Sequence, residues 1–161
     1  MKNTLTFNKQ LFTYEATNEE AFKLPRILAW SAQHFKLHAK EKSKKVIFPK
    51  RGEVWTCDFG ENIGSEVNKI RPCVIIQNNK GNEYSSTTIV LPISHRECRL
   101  PTQVKVWKDS FIFLEDTIDG AILGEQIKTI SKARLGRKIG NLSENELFKI
   151  EQALKVALGM G

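Results

Sequence analysis

The chain is poor in cysteine and has no long apolar run. Its three cysteines, Cys57, Cys73 and Cys98, are widely spaced, and no CxxC pair occurs. This spacing argues against a zinc knuckle or a CxxC redox motif, so we expect reduced, partly buried thiols. No apolar run approaches the roughly 20 residues of a membrane span, and the amino-terminal segment has no apolar signal core. We therefore expect a cytoplasmic protein that does not interact with a membrane.

The 161 residues carry a formal net charge of +7, which favours a polyanionic partner such as nucleic acid. Much of the positive charge is concentrated in one short stretch that only Glu41 opposes. The stretch can be read as a solvated helix end and linker, or as a set of phosphate contacts. Its basic residues are Lys36, Lys40, Lys42, Lys44, Lys45, Lys50 and Arg51.

The amino-terminal part predicts an extension that is largely helical. Residues 1–16 show no periodic pattern, while Thr17 and Glu20 have the spacing of a capping box. Because proline interrupts a helix, the main helix is expected from about Pro25 to Lys42. An apolar face that needs a packing partner lies along it, formed by Leu24, Ile27, Leu28, Phe35 and Ala39. His34 and His38 lie one turn apart, but no third ligand is evident and no metal site is expected.

The remaining sequence predicts short strands followed by a helix. GEVWTCDF at 52–59 indicates a strand with a bulge, and 60–69 indicates a long polar loop. Ser143 and Glu146 have the spacing of a second capping box, and Gly159 ends the helix that follows. Short strands at close spacing favour a small barrel over βαβ units. The other predicted strands are Pro72–Gln77, Thr87–Ile93, Gln103–Trp107 and Ala121–Ile130, with a turn at NNKGNEYSS between the first two.

Two strand-end residues are candidates for chemistry. Arg71 lies where the polar loop meets a buried strand in KIRPCVIIQN, and Pro72 favours the first position of that strand. Its guanidinium can fork onto two phosphate oxygens, or it can pair with a local carboxylate such as Glu66. Ser94 ends the strand TTIVLPIS; its hydroxyl can contact a ribose or a phosphate, or simply form a turn. His95 is a candidate acid or base, but adjacent strand residues point to opposite faces.

No Ser/His/Asp or Cys/His relay, HExxH, P-loop or GxGxxG motif can be identified. A reaction that needs neither metal nor cofactor remains possible. RNA cleavage is such a reaction, because the 2′-OH of RNA is an internal nucleophile. An enzyme must then deprotonate this group, stabilise charge at phosphorus and protonate the leaving 5′ oxygen.

At these segments the sequence resembles the MazF/PemK family of type II toxins, over about residues 49–159. The matching segments are RGEVW at 51–55, GSE at 64–66, IRPCVIIQNNKGN at 70–82, TTIVLPIS at 87–94, LPTQVKV at 100–106 and GEQIKTISKARL at 124–135. The resemblance implies a mainly β fold: a small SH3-like barrel of the MazF/CcdB type with a carboxy-terminal helix, here with an amino-terminal helical extension. We divide the chain into 1–48, the extension, and 49–161, the barrel.

The family resemblance also implies a function. It implies a homodimeric, sequence-selective endoribonuclease that cleaves single-stranded RNA without a metal and leaves 2′,3′-cyclic phosphate and 5′-OH ends. Single-stranded RNA and a cognate antitoxin would be its partners. The family's catalytic arginine matches Arg71, and its usual threonine falls at Ser94, which keeps a hydroxyl but loses a methyl group. The residues expected to bind RNA are Ser65, Glu66, Lys69, Gln77, His95, Arg96 and Gln126.

Two other functions stay open at this stage. The first is a toxin on the same barrel that poisons a DNA topoisomerase. The second is an SH3-like module that binds nucleic acid without catalysis. Arg71 and the hydroxyl of Ser94 favour the nuclease over the topoisomerase poison, whereas the basic charge alone would permit the binding module.

Overall fold

A computed structural model describes residues 4–7, 10–13, 18–42, 47–115 and 117–160. The chain divides into two compact units, Met1–Lys36 and Leu37–Gly161. The division at 48/49 expected from the sequence stays a prediction. None of the described helices is long and apolar enough to cross a membrane.

The first unit contains a hairpin and most of a long helix. Strands β1 (Thr4–Phe7) and β2 (Gln10–Thr13) pair antiparallel, whereas the sequence predicted no regular structure over residues 1–16. Helix α1 runs from Asn18 to Lys42 and contains Pro25, so the expected start at Pro25 is wrong. The segment before Pro25, NEEAFKL, is rich in helix formers, which offsets the backbone hydrogen bond that proline removes. The capping residue expected at position 17 lies outside the described residues.

The apolar face predicted for α1 is exposed. Ile27, Leu28 and Phe35 are 49%, 53% and 78% exposed, and the packing partner expected for this face stays a prediction. The periodic pattern correctly predicted a helix in this segment, but a pattern of this kind does not show what the apolar face packs against. The ring of Trp30, off that face, stacks on His34 one turn later, with 5.6 Å between the ring centroids.

The carboxy-terminal end of α1 belongs to the second unit and is anchored there. Leu37 is buried. The amine of Lys40 donates hydrogen bonds to the carbonyl oxygens of Ala133 at 2.7 Å and Leu135 at 2.8 Å. The hydroxyl of Ser131 donates to a carboxylate oxygen of Glu41 at 3.3 Å. Lys40 is therefore engaged by backbone oxygens and is not simply one member of a solvated basic cluster.

The second unit is an antiparallel sheet that curves into a half-barrel. Its main path runs β6-β8-β5-β4-β3-β10-β7, and β9 pairs with β5 off this path. Its strands are β3 (Glu53–Asp58), β4 (Ile70–Ile75), β5 (Thr87–Ser94), β6 (Gln103–Val106), β7 (Phe111–Leu114), β8 (Gly120–Leu123), β9 (Lys128–Ser131) and β10 (Leu135–Leu142). Helix α2 (Asn79–Tyr84) lies between β4 and β5, and α3 (Glu144–Leu158) ends the chain.

Several local predictions need correction. The segment NNKGNEYSS forms α2 instead of a turn, because Asn78 caps it by accepting a hydrogen bond from the backbone N–H of Gly81. The single strand expected over 121–130 is two strands separated by a 3₁₀ turn, Gly124–Gln126. The bulge expected in the strand at 52–59 is not there; the irregularities lie on the neighbouring strand β10, where the register with β3 shifts twice. Pro72 is the third residue of β4, and the pairing with β5 begins one residue later.

Helix α3 follows the sequence prediction closely. The hydroxyl of Ser143 accepts a hydrogen bond from the backbone N–H of Glu146 at 3.4 Å. Gly159 ends the helix with a φ of 66°, a conformation that glycine adopts without strain. Ile150 is fully buried in the larger of two apolar clusters, which it shares with buried residues of six strands.

The sheet interior holds the buried thiols and one buried carboxylate. Cys57 and Cys73 are free and buried, as expected. Burial raises the pKa of Cys73, and its neighbour Cys57 adds to this effect. Burial also raises the pKa of Glu53, but hydrogen bonds from Lys138, the Lys50 backbone and Trp55 outweigh it, so the pKa of Glu53 lies below its ordinary value.

Candidate active site

A cavity of about 700 Å³ opens at the edge of the sheet where β4 begins and β5 ends. Its walls come from the β3–β4 loop (residues 59–69), the β5–β6 loop (residues 95–102) and the Gly124–Gln126 turn. Antiparallel neighbours place the start of one strand beside the end of the next. The two candidate catalytic residues, Arg71 and Ser94, therefore meet in this cavity.

The register explains this pairing. Cys73 of β4 lies opposite Pro92 of β5. Extending the register by two residues places Arg71 opposite Ser94. Opposite residues of an antiparallel pair point to the same face, with their Cβ atoms about 4.5–5.5 Å apart. His95 alternates to the other face, and its ring lies 3.0 Å from the carbonyl oxygen of Asp119, outside the cavity lining.

Arg71 is half-buried and held from one side. Its Nε donates a hydrogen bond to the carbonyl oxygen of Asn68 at 3.1 Å. Among the described residues, no carboxylate forms an ion pair with Arg71. Glu66, the partner considered from the sequence, pairs with Lys128 instead, with 3.6 Å between nitrogen and oxygen. The two Nη groups are therefore available to a ligand in the cavity.

Ser94 is the last residue of β5 and is 7% exposed. Ala121 of β8 pairs with it on the side away from β4. Within the part of the chain that the structure describes, its hydroxyl has no hydrogen-bond partner. A nearly buried hydroxyl at the cavity wall, with its hydrogen bonds unused, is suited to contact a bound polar group.

The structure brings together most of the predicted RNA-binding residues. Ser65, Glu66, Arg96 and Gln126 line the cavity, while Lys69 and Gln77 do not. Lys69 is exposed, with a φ of 68°, and its backbone pairs with Phe59 and Gly60. Gln77 lies beyond the opposite end of β4, where its amide nitrogen donates to the carbonyl oxygen of Thr87 at 3.3 Å.

Sequence reasoning did not identify the other residues that line the cavity, and four of them are polar residues that shape it: Asn68, Arg99, Gln103 and Glu125. Asn68 holds Arg71 through a backbone carbonyl, which no side-chain motif reveals. Arg99 lies in the charged segment HRECRL, and the charge of that segment was the one feature of the sequence that pointed to it as a site residue. Gln103 and Glu125 face each other across the cavity wall, with 2.6 Å between the amide nitrogen and the carboxylate. Their approach depends on the pairing of distant strands.

The charge of the cavity is mixed. Arg99 is balanced by Glu97, with 2.9 Å between nitrogen and oxygen. In the described ranges, neither Arg71 nor Arg96 forms an ion pair. The lining holds three arginines and three glutamates. The guanidinium groups of Arg71 and Arg96 are suited to bind an anionic ligand such as a phosphodiester. The described residues contain no group of three or more His, Cys, Asp and Glu side chains arranged to hold a metal ion.

Residues 50–158 match the family described as PemK-like, MazF-like toxin of type II toxin-antitoxin system. The chain belongs to this family. It is 39% identical over 113 residues to Endoribonuclease MazF of Staphylococcus epidermidis, covering 69% of this chain and 92% of that protein.

Solved structures are similar over the same region. A mycobacterial endoribonuclease in complex with its cognate antitoxin is 26% identical, with a TM-score of 0.58, over 70% of this chain and 97% of that one. MazF from Deinococcus radiodurans is 17% identical, with a TM-score of 0.61, over 71% of this chain and 99% of that one. The predicted family, the small β-barrel fold and the endoribonuclease class are confirmed.

Proposed function

We propose that this chain is a sequence-selective, metal-independent endoribonuclease that cleaves single-stranded RNA, including mRNA, as the toxin of a toxin–antitoxin pair. The meeting of Arg71 and Ser94 in one cavity carries the proposal, because both polar groups are open to a ligand there. The family match supports the toxin role, and the relatives named endoribonuclease support RNA as substrate. The protein would act in the cytoplasm.

The proposed reaction is an internal transesterification. The 2′-OH gives its proton to water and its oxygen attacks the adjacent phosphorus, while the bond from phosphorus to the 5′ oxygen breaks and that oxygen takes a proton from water. The products are a 2′,3′-cyclic phosphate and a 5′-OH end. The Nη groups of Arg71 stabilise the charge that builds up on the non-bridging oxygens, and the Ser94 hydroxyl hydrogen-bonds the reacting ribose or phosphate.

The rest of the cavity binds the strand. Arg96 contacts a phosphate, while Ser65, Glu66 and Gln126 lie on the wall along which neighbouring nucleotides pass. A phosphate contact positions the strand, and base contacts supply sequence selectivity. Lys69, Gln77 and His95 are outside this cavity, so any contact they make with RNA is to more distant nucleotides.

Incubation of the protein with a long single-stranded RNA in excess EDTA tests this proposal. We expect cleavage at a short recurring sequence. The downstream fragments should accept phosphate directly from a polynucleotide kinase, because they begin with a 5′-OH. RNA bound but uncut indicates the non-catalytic module. Intact RNA together with trapped topoisomerase–DNA complexes indicates the topoisomerase poison. Cleavage that EDTA abolishes contradicts the metal-independent mechanism.

The proposed partners are a cognate antitoxin and a second copy of the chain. A solved relative is bound to its cognate antitoxin, which supports the first. We expect sedimentation at micromolar concentration to give twice the mass of one chain. A monomer that cleaves RNA at the full rate contradicts the homodimer.

A further inference from the structure

One side chain of the Gly124–Gln126 turn binds the backbone of the β3–β4 loop. The amide nitrogen of Gln126 donates to the carbonyl oxygen of Ser65 at 3.3 Å. Its amide oxygen accepts from the backbone N–H of Val67 at 3.4 Å. The donor and the acceptor of one amide thus bind alternate residues of the loop, and the Glu66–Lys128 ion pair adds a third contact nearby.

The preceding residue of the turn binds the other side of the cavity. The carboxylate of Glu125 accepts from the hydroxyl of Thr102 at 3.0 Å and from the amide nitrogen of Gln103 at 2.6 Å. The amide oxygen of Gln103 in turn accepts from the backbone N–H groups of Arg99 at 2.9 Å and Leu100 at 3.4 Å. Glu125 therefore fixes the β5–β6 loop through Gln103.

Both loops bear directly on the candidate site. Near its end, the β3–β4 loop contains Asn68, whose carbonyl oxygen accepts a hydrogen bond from Nε of Arg71. The β5–β6 loop carries Arg96, which lines the cavity and forms no ion pair with any of the described residues. A short turn between β8 and β9 therefore connects the two walls through adjacent side chains.

We propose that Glu125 and Gln126 act as a clasp that sets the spacing of the two loops around bound RNA. They are positioning residues: Gln126 aligns Arg71 through the loop backbone and Asn68, and Glu125 places the loop that carries Arg96. This inference rests on the proposed function and assigns Gln126 a role on the protein instead of on the nucleotide. Holding the loops in place before RNA binds reduces the entropy lost on binding.

The test combines hydrogen exchange of the free protein with steady-state cleavage of a short RNA. In Gln126→Ala, we expect the Val67 amide to exchange at least tenfold faster and kcat to fall about tenfold, as Arg71 loses alignment. In Glu125→Ala, we expect the Arg99 and Leu100 amides to exchange faster and KM to rise about tenfold, with kcat changed less than about threefold.

Matched controls are Gln152→Ala and Glu83→Ala, which truncate the same residue types at exposed sites away from the cavity. Gln126→Glu keeps the oxygen that accepts from Val67, so it should restore slow exchange at that amide and part of kcat. If Gln126→Ala does not fold, Gln126→Met retains the volume and removes the polar contacts.

Two results overturn the clasp. In the first, cleavage falls in Gln126→Ala while Val67 exchange is unchanged, because Gln126 then contacts RNA directly. In the second, both alanine variants match their controls in exchange and kinetics. If the wild-type protein leaves RNA intact, the proposed function fails, and the exchange measurements on the free protein decide the clasp by themselves.

Discussion

Replacement of Arg71 tests the candidate site most directly. Nε of Arg71 already binds the carbonyl oxygen of Asn68, so the groups left for substrate are the two Nη nitrogens. Removing a single donor to a transition-state oxyanion costs about 10²–10³ in rate. Arg71→Ala removes a two-pronged donor, so we expect kcat to fall by about 10³ or more, at least about 4 kcal/mol in the activation barrier.

The Arg71→Lys variant separates the effect of two-pronged hydrogen bonding by the guanidinium from the effect of its positive charge. A lysine keeps the positive charge but offers a compact ammonium in place of a planar fork. It also loses the Nε–H that donates to Asn68. We expect the kcat of Arg71→Lys to exceed that of Arg71→Ala by less than about tenfold. Lys80→Ala, a substitution at an exposed position on α2, is the control for removing a cation from this basic protein.

The assay is single-turnover cleavage of a short RNA with enzyme in excess, which separates the chemical step from product release. Circular dichroism and thermal unfolding check that each variant folds. A folded Arg71→Ala that cleaves at the wild-type rate refutes the assignment. A lysine variant as active as wild type shows that charge alone is sufficient, and the argument from the two Nη groups is then wrong.

Three further predictions follow from single side chains. Ser94→Ala should lose about 10-fold or more in kcat and Ser94→Thr should keep most of it; an alanine variant equal to wild type in the same assay gives the hydroxyl no role. The lowered pKa of Glu53 means that its ionised form stabilises the fold above the ordinary glutamate pKa, and that this contribution is lost as the pH falls through the lowered value. When urea unfolding is measured between about pH 5 and pH 2, the free energy of unfolding should fall less with decreasing pH in Glu53→Gln than in the wild type. An equal fall in both proteins contradicts the stabilising role of ionised Glu53. Lys40→Met should speed exchange of the α1 amides near the carboxy-terminal end, because the bonds to Ala133 and Leu135 are lost; unchanged exchange shows that the anchor is not needed.

Elements with local signals could be predicted from the sequence. Ser143, the apolar positions of α3 and Gly159 give its start, buried face and end, and each acts within a few residues along the chain. The pairing of Arg71 and Ser94 in one site was implied by the family resemblance alone. The structure supplies a geometric reason for it, because the start of one antiparallel strand and the end of the next lie at the same edge of the sheet.

Strand β10 shows what such signals miss. Its sequence, LGRKIGNL, contains two glycines and charged residues and has no clear alternation. The glycines are needed for close packing: a Cβ at Gly136 would lie 2.4 Å from the hydroxyl of Thr56, and one at Gly140 would lie 2.6 Å from the carbonyl oxygen of Phe113. The glycines and charged residues of this segment resemble those of a turn when only the local sequence is considered. In the structure the segment is a strand that packs closely between β3 and β7.

The role of Gln126 shows the same limit within the site. Its position in the sequence indicated a residue near RNA, and it does line the cavity. Its partners, Ser65 and Val67, come from the β3–β4 loop, and nothing near Gln126 in the sequence identifies them. A glutamine amide offers two donors and one acceptor oxygen, and the loop backbone already uses that oxygen and one N–H. The side chain that the family resemblance assigns to the nucleotide thus binds the protein before any RNA arrives, and the proposed clasp attributes its effect on cleavage to the loop that holds Arg71.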